Sequence, residues 1–137
     1  VDINARAIAP GLNEVFGQQV LVENRAGAGG MIGGEFVARA PADGYTLAMA
    51  SNSVYSVAPN VFSKPRYHPV KDFAAISGVS NVPFVIVLHP SVPAKNLKEF
   101  IALVKSKPGP MTMATAGTGT SNHLVGELFQ ISAGVRM

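Results

Sequence analysis

Two spacings of apolar residues alternate along the chain. Ala5, Ile8, Leu12 and Val15 recur every three or four positions, which is the spacing of one face of an amphipathic helix. The apolar run at 20–22 is short and bounded by polar residues, which is typical of a buried strand. The same patterns predict further helices at 31–40, at 54–62 and from Asn96 to Pro108, and a last helix that ends at Gly134. They predict strands at 19–23, 45–50, 73–79, 82–89 and 111–115.

The order of these elements indicates the fold class. Strands that alternate with helices favour an α/β fold, with a mostly parallel sheet flanked by helices, in a single domain over residues 1–137. Pro10 and Gly11 predict a kink or break inside the first helix. Residues 96–99, Asn-Leu-Lys-Glu, resemble a capping box that starts the fourth helix.

Composition narrows the function classes. The net charge of +3 is mild, and the 11 Lys and Arg residues are scattered, which argues against a nucleic-acid partner. The longest apolar run, 84–88, is far shorter than the roughly 20 residues that cross a bilayer. The chain has no cysteine, so disulfides and thiolate metal ligands are excluded.

The richest stretch of the sequence is the segment 116–121, called here the Gly/Thr loop, between a predicted strand and the last helix. Its glycines permit close approach of the backbone, and Thr118, Thr120 and Ser121 add hydroxyl groups. The N-terminus of a helix offers free N–H groups and a partial positive charge, so this loop predicts an anion or carboxylate site. The alternative is that Thr120 or Ser121 only caps the helix and the glycines only turn the chain.

Other candidate chemistry is weaker. The turn at 27–30 lacks the Lys and Ser/Thr of a phosphate-binding loop and does not match G-x-G-x-x-G. His68, His89 and His123 do not form a metal or catalytic set, and the sequence indicates no cofactor. Asp2 either caps the first helix or faces the same sheet edge as the Gly/Thr loop.

Five segments, taken in order, resemble the Bug family, the TctC-like receptors of tripartite tricarboxylate transporters. They are residues 16–30 (FGQQVLVENRAGAGG), 42–47 (ADGYTL), 67–73 (YHPVKDF), 89–95 (HPSVPAK) and 116–124 (AGTGTSNHL). One departure is an alanine where the family commonly has proline after the Asn-Arg pair.

The resemblance implies a periplasmic receptor with two α/β lobes that close on a small carboxylate ligand and deliver it to membrane transporter subunits. This chain corresponds to most of the first lobe, without its first strand and without the second lobe. The chain begins inside a helical pattern without Met or a signal peptide and stops just after a helix. We therefore expect further sequence on both sides.

The residues expected to bind the ligand follow from the loop argument and from the family motifs together. They are Asp2, Ser51, Asn52, Ala116, Gly117, Thr118, Gly119, Thr120, Ser121 and His123.

Two other interpretations stay open. In the first, the chain is an α/β hydrolytic or phosphate-handling enzyme domain that uses Ser121 and His123, although residues two apart on a helix do not face each other. In the second, an exposed edge of the incomplete sheet leaves backbone groups unpaired and drives dimerisation.

Overall fold

The computed structural model describes residues 1–64, 66–106 and 111–137. The chain divides into two compact units, Val1–Asn81 and Val82–Met137. The prediction of a single domain stays a prediction. None of the described helices is long and apolar enough to cross a membrane.

The first unit contains three α-helices and two short helical turns. They are α1 (Asp2–Phe16), a 3-10 turn (Ala28–Gly30), α2 (Met31–Ala38), a π-helical turn (Ser53–Val57) and α3 (Ala58–Val61). The second unit contains α4 (Leu97–Ser106) and α5 (Ser121–Ala133).

Helix α1 is continuous, so the predicted break at Pro10 is wrong. Pro10 lies inside the helix, and Gly17 ends it with φ of 62°, a left-handed conformation that glycine adopts without strain. A proline in the middle of a helix removes a single N–H donor. Asp2 in the first turn favours the helix by its charge, and α1 tolerates the proline.

The predicted α/β fold is also wrong. Over the described ranges, the protein is built of helices and irregular segments, and the five predicted strands form no sheet. The physical reason is that a strand exists only when its N–H and C=O groups pair with a second strand. The apolar runs favour extended pairing, but among the described residues none of them is paired as a strand, and Leu21 and Val85 remain largely exposed to solvent.

The core of the first unit lies where α2 meets the segment that follows it. Met31, Val54, Ala58 and Tyr67 are buried together there. The Tyr67 hydroxyl donates a 2.6 Å hydrogen bond to the Val54 carbonyl, and its ring meets the Phe73 ring edge to face at 5.4 Å. A buried tyrosine is stabilised when its hydroxyl has a partner, so this bond fixes the ring.

Helix α4 of the second unit begins as the sequence predicts. The Asn96 side chain accepts a 3.0 Å hydrogen bond from the Glu99 N–H, and the Glu99 carboxylate accepts from the Asn96 amide at 2.7 Å and from the Lys95 N–H at 2.8 Å. The bond from the Glu99 N–H to Asn96 is that of a capping box, whereas the return bonds from Glu99 go to the Asn96 side chain and to the Lys95 N–H instead of the Asn96 N–H. Phe100 on α4 stacks on Phe129 of α5, with 6.1 Å between ring centroids.

Candidate functional site

The Gly/Thr loop leads directly into α5. Gly117 and Gly119 have φ of 116° and 80°, values that side chains other than glycine rarely adopt. The loop closes on itself, because the Thr120 N–H and the Thr120 hydroxyl both donate to the Gly117 carbonyl, at 3.3 and 2.6 Å. The glycines therefore do form a tight turn, as expected if they turn the chain and a loop hydroxyl caps the helix.

Thr120 is the N-cap of α5. Its hydroxyl oxygen accepts from the His123 N–H at 3.4 Å, and the residue is buried. Ser121 is also buried, with 7% of its surface exposed. Within the loop, Ala116, Gly117 and Thr118 remain exposed. Thr118 is thus the exposed threonine of the loop.

His123 lies in the first turn of α5. Its Nε2 atom is 3.6 Å from Glu127 Oε1, an ion pair of i,i+4 type that forms when the imidazole is protonated. Sequence reasoning missed Glu127, although spacing of four residues on a predicted helix is the signal that finds such pairs. Since Nε2 lies beside the second turn of α5, this nitrogen is directed along the helix.

Asp2 is held by two neighbours in the first unit. Arg6 Nε lies 3.0 and 3.1 Å from the two carboxylate oxygens, and the Asn24 side-chain amide donates to Oδ1 at 2.6 Å. The hydrogen bond from Asn24, followed by that from Arg6, lowers the pKa of Asp2 below its ordinary value. Asp2 is therefore a fixed negative charge at neutral pH.

Asn24 was not among the predicted site residues. It directly follows the apolar run 20–22 and Glu23, and a polar amide at the end of such a run is the signal that could have found it. The bond from Asn24 to Asp2 joins the start of α1 to a segment 22 residues further along the chain.

Ser51 and Asn52 precede the π-helical turn. Both residues are exposed, and the Ser51 carbonyl accepts a 3.0 Å hydrogen bond from the Val54 N–H. Asn52 stands at the N-cap position without a side-chain capping bond. Their side chains are therefore accessible to a ligand.

The predicted site residues belong to both units. Asp2, Ser51 and Asn52 lie in Val1–Asn81, and Ala116–His123 in Val82–Met137. Their grouping was argued from a shared sheet edge, which the described residues do not form. The grouping stays a prediction.

Two concavities are lined by other residues. One, of about 370 Å³, runs between α1 and residues 19–22 in the first unit. The other, of about 250 Å³, is a mainly apolar cleft in the second unit, between residues 87–92, Phe100 and residues 111–112. Among the described residues, no cluster of three His, Cys, Asp or Glu side chains could hold a metal ion.

Comparisons with known proteins agree on one family. The sequence model described as "Tripartite tricarboxylate transporter family receptor" matches residues 4–137. Protein BugT of Bordetella pertussis is 39% identical over 134 residues, which are 97% of this chain and 41% of BugT. A UPF0065 protein of Agrobacterium vitis, from the TAR-I ttuE-ttuC' intergenic region, is 36% identical over 99% of this chain and 39% of its own length.

Two solved structures share the fold. A chain described as "Structure of a periplasmic transporter" is 37% identical with a TM-score of 0.93, and "R. palustris Rpa4515 with adipate" is 30% identical with a TM-score of 0.94. This chain is covered to 99% in both cases, and each solved chain to 46%.

This chain thus spans about two fifths of the length of the curated relatives that it matches. The comparisons confirm the resemblance seen in the sequence motifs, and they place the chain among receptors rather than enzymes. The enzyme interpretation built on Ser121 and His123 loses its support, and the burial of Ser121 agrees with this. The chain belongs to the tripartite tricarboxylate transporter receptor family, that of TctC and the Bug proteins.

Proposed function

We propose that this chain is the ligand-binding part of a periplasmic solute receptor that captures a small carboxylate and delivers it to the subunits of a tripartite tricarboxylate-type transporter. The family match supports the receptor role, and the description of a neighbour with adipate, a dicarboxylate, supports the ligand class. The family and the neighbour described as a periplasmic transporter support the location.

The observation that carries the ligand class is the start of α5. This helix is 13 residues long, and its N-terminus follows a loop with two glycines at positive φ and an exposed threonine. Free N–H groups and the helix dipole stabilise a carboxylate at such a position. The Thr118 hydroxyl is the side-chain donor that we assign to the ligand, because the Thr120 hydroxyl already donates to Gly117.

Asp2 is not assigned to direct contact with the ligand carboxylate. Its carboxylate is ionised and therefore repels a ligand carboxylate in direct contact. A bridging water or an N–H donor of the ligand removes the repulsion, and water-mediated contacts are common in polar sites. We assign Asp2, Ser51 and Asn52 to water-mediated or donor contacts rather than to the carboxylate itself.

The test is calorimetric titration of the chain with adipate, with citrate and with the neutral diamide of adipic acid. We expect heat of binding with a carboxylate and none with the diamide. Failure of adipate, citrate and other small di- and tricarboxylates to bind would count against the proposal.

Two variants locate the contact. Thr118→Val removes the assigned hydroxyl at constant shape, and Thr112→Val makes the same change at another exposed threonine of the same unit. A hydrogen bond to a charged group contributes about 1.5–3 kcal/mol, so we expect Thr118→Val to raise the Kd about tenfold or more. Thr112→Val should leave it unchanged, and equal effects of the two variants would contradict the assignment.

A further inference from the structure

The hydrogen bond between Asn24 and Asp2 joins two segments that are distant in the sequence. The Asn24 side-chain amide donates to Asp2 Oδ1 at 2.6 Å, across 22 positions of the chain. A side-chain bond over this distance forms only because the fold brings both segments together, whereas a bond between residues four apart follows from the helix itself. Both residues belong to the first unit, so the contact lies within one compact part of the chain.

Asn24 and Arg6 hold the Asp2 carboxylate in different ways. Arg6 Nε lies 3.0 and 3.1 Å from the two carboxylate oxygens, so this donor does not distinguish one oxygen from the other. Arg6 is 58% exposed, and an exposed i,i+4 ion pair holds its side chains only weakly. Asn24 donates to Oδ1 over a shorter distance. The rotation of the carboxylate about its Cβ–Cγ bond is therefore set mainly by Asn24.

Asn24 can fix another side chain because the residue next to it is attached to α2. The Arg25 guanidinium lies over the Phe36 ring, with 3.5 Å between Cζ and the ring centroid. A Cβ atom built on Gly33 would lie 3.1 Å from the Arg25 carbonyl oxygen, so the backbone here packs closely on the helix. The same helix carries Met31 of the buried core. Asn24 thus connects Asp2 to a segment that is fixed against this core.

We propose that Asn24 is a positioning residue for the ligand: it holds the Asp2 carboxylate in one orientation, so that Asp2 meets the ligand without first having to be ordered. This inference rests on the proposed function, in which Asp2 contacts the ligand through water or a ligand donor. A side chain that is already fixed loses little conformational entropy on binding. Asn24 does not touch the ligand itself, and its effect on the affinity passes through Asp2.

The first measurement needs no ligand. The hydrogen bond from Asn24 is the largest cause of the lowered pKa of Asp2, ahead of Arg6. Asn24→Leu keeps a branched side chain without the amide donor, so NMR titration should show the pKa of the Asp2 carboxyl rising toward its ordinary value. Asn60→Leu is the matched control, because Asn60 donates a 2.7 Å bond to a backbone carbonyl of the same unit. The control should leave the pKa of Asp2 unchanged, and an unchanged pKa in Asn24→Leu would overturn the proposal.

The second measurement is a double-mutant cycle with adipate as the probe. Calorimetry gives the Kd of the parent chain, of Asn24→Leu, of Asp2→Asn and of the variant with both changes. We expect Asp2→Asn to change the Kd, and Asn24→Leu to raise it roughly two- to tenfold, the effect of having to order one side chain on binding. In the Asp2→Asn background, Asn24→Leu should have no further effect. Asn60→Leu should bind adipate as the parent does.

The outcomes separate a positioning role from a structural one. If the bond only ties two segments together, Asn24→Leu lowers the free energy of unfolding in urea while the Kd for adipate stays that of the parent, and this result would overturn the proposal. An equal effect of Asn24→Leu with and without the Asp2 carboxylate overturns it as well, as does an unchanged Kd in Asp2→Asn.

Failure of the proposed function looks different from failure of this inference. A parent chain that binds no di- or tricarboxylate contradicts the proposed function, and the role of Asn24 falls with it. A parent chain that binds adipate keeps the proposed function, and the cycle alone then decides on Asn24. If circular dichroism shows that Asn24→Leu loses helix content, Asn24→Ala takes its place in both measurements, with the same expected results and the same grounds for rejection.

Discussion

Gly34→Ala tests the packing of the first unit directly. Gly34 lies on α2, and a Cβ atom built there falls 2.6 Å from Cε1, 2.8 Å from Cζ and 2.9 Å from the hydroxyl oxygen of Tyr67. Carbon atoms in contact normally stay about 3.5–4.0 Å apart. The Tyr67 ring must therefore move, although its hydrogen bond to Val54 and its contact with Phe73 fix it.

Two effects of opposite sign decide the result. Alanine favours an α-helix over glycine by about 1 kcal/mol. Overpacking a core costs about 1–3 kcal/mol, and loss of the Tyr67 hydrogen bond, if the ring shifts, adds about 1 kcal/mol. Because the ring must move, we expect a net loss of about 1–3 kcal/mol in the free energy of unfolding. In a unit of this size each kcal/mol corresponds to a Tm change of about 4–8 °C.

Gly11→Ala is the matched control. Gly11 lies inside α1, and a Cβ atom built there has no neighbour within 4 Å. This variant gains the helix propensity without the clash, so we expect a stabilisation of about 0.5–1 kcal/mol. The assay is urea unfolding followed by circular dichroism. If Gly34→Ala is as stable as Gly11→Ala, the close packing of Tyr67 on α2 is refuted.

Three further predictions concern single interactions. Tyr67→Phe leaves the Val54 carbonyl without its donor, and we expect urea unfolding to show a loss of about 1–2 kcal/mol. Thr120→Ala removes the N-cap of α5, and hydrogen exchange of that helix should show a loss of about 1 kcal/mol, with Thr120→Ser close to the parent. Arg66 lowers the pKa of Glu35, so this carboxylate stabilises the fold above its ordinary pKa, and its contribution is lost as the pH falls through the lowered value. In Glu35→Gln, unfolding between pH 3 and 7 should depend less on pH than in the parent, and an unchanged pH dependence would contradict this.

The sequence predicts the helices well because their signals are local. The capping motif at 96–99 and the glycine after α5 each act within one turn of the helix that they begin or end. Pro10 misleads for the same reason. A local rule takes account of the missing N–H of proline, but the helix stays continuous across Pro10 because the other residues of α1 keep their helical hydrogen bonds.

The strands could not be predicted in the same way. The run at 20–22 and the run at 84–88 both have the composition of buried strands, but composition does not state which segment supplies the second half of the ladder. In the structure, one N–H of the first run bonds to a side chain instead, since the Val20 N–H donates to Asn13 Oδ1 at 2.6 Å. The local pattern of apolar residues therefore does not predict which distant segments pair as strands.

In the Gly/Thr loop, the structure separates the threonines by their burial and their hydrogen bonds. The two interpretations, cap and ligand site, had been alternatives for the loop as a whole. Thr120 is buried and caps α5, whereas Thr118 is exposed. The cap interpretation therefore holds for Thr120. The ligand contact of Thr118 remains our proposal, and the two roles are tested by separate variants. Thr120 substitutions should change the stability of α5, and Thr118→Val should change the affinity for a carboxylate while the stability stays the same.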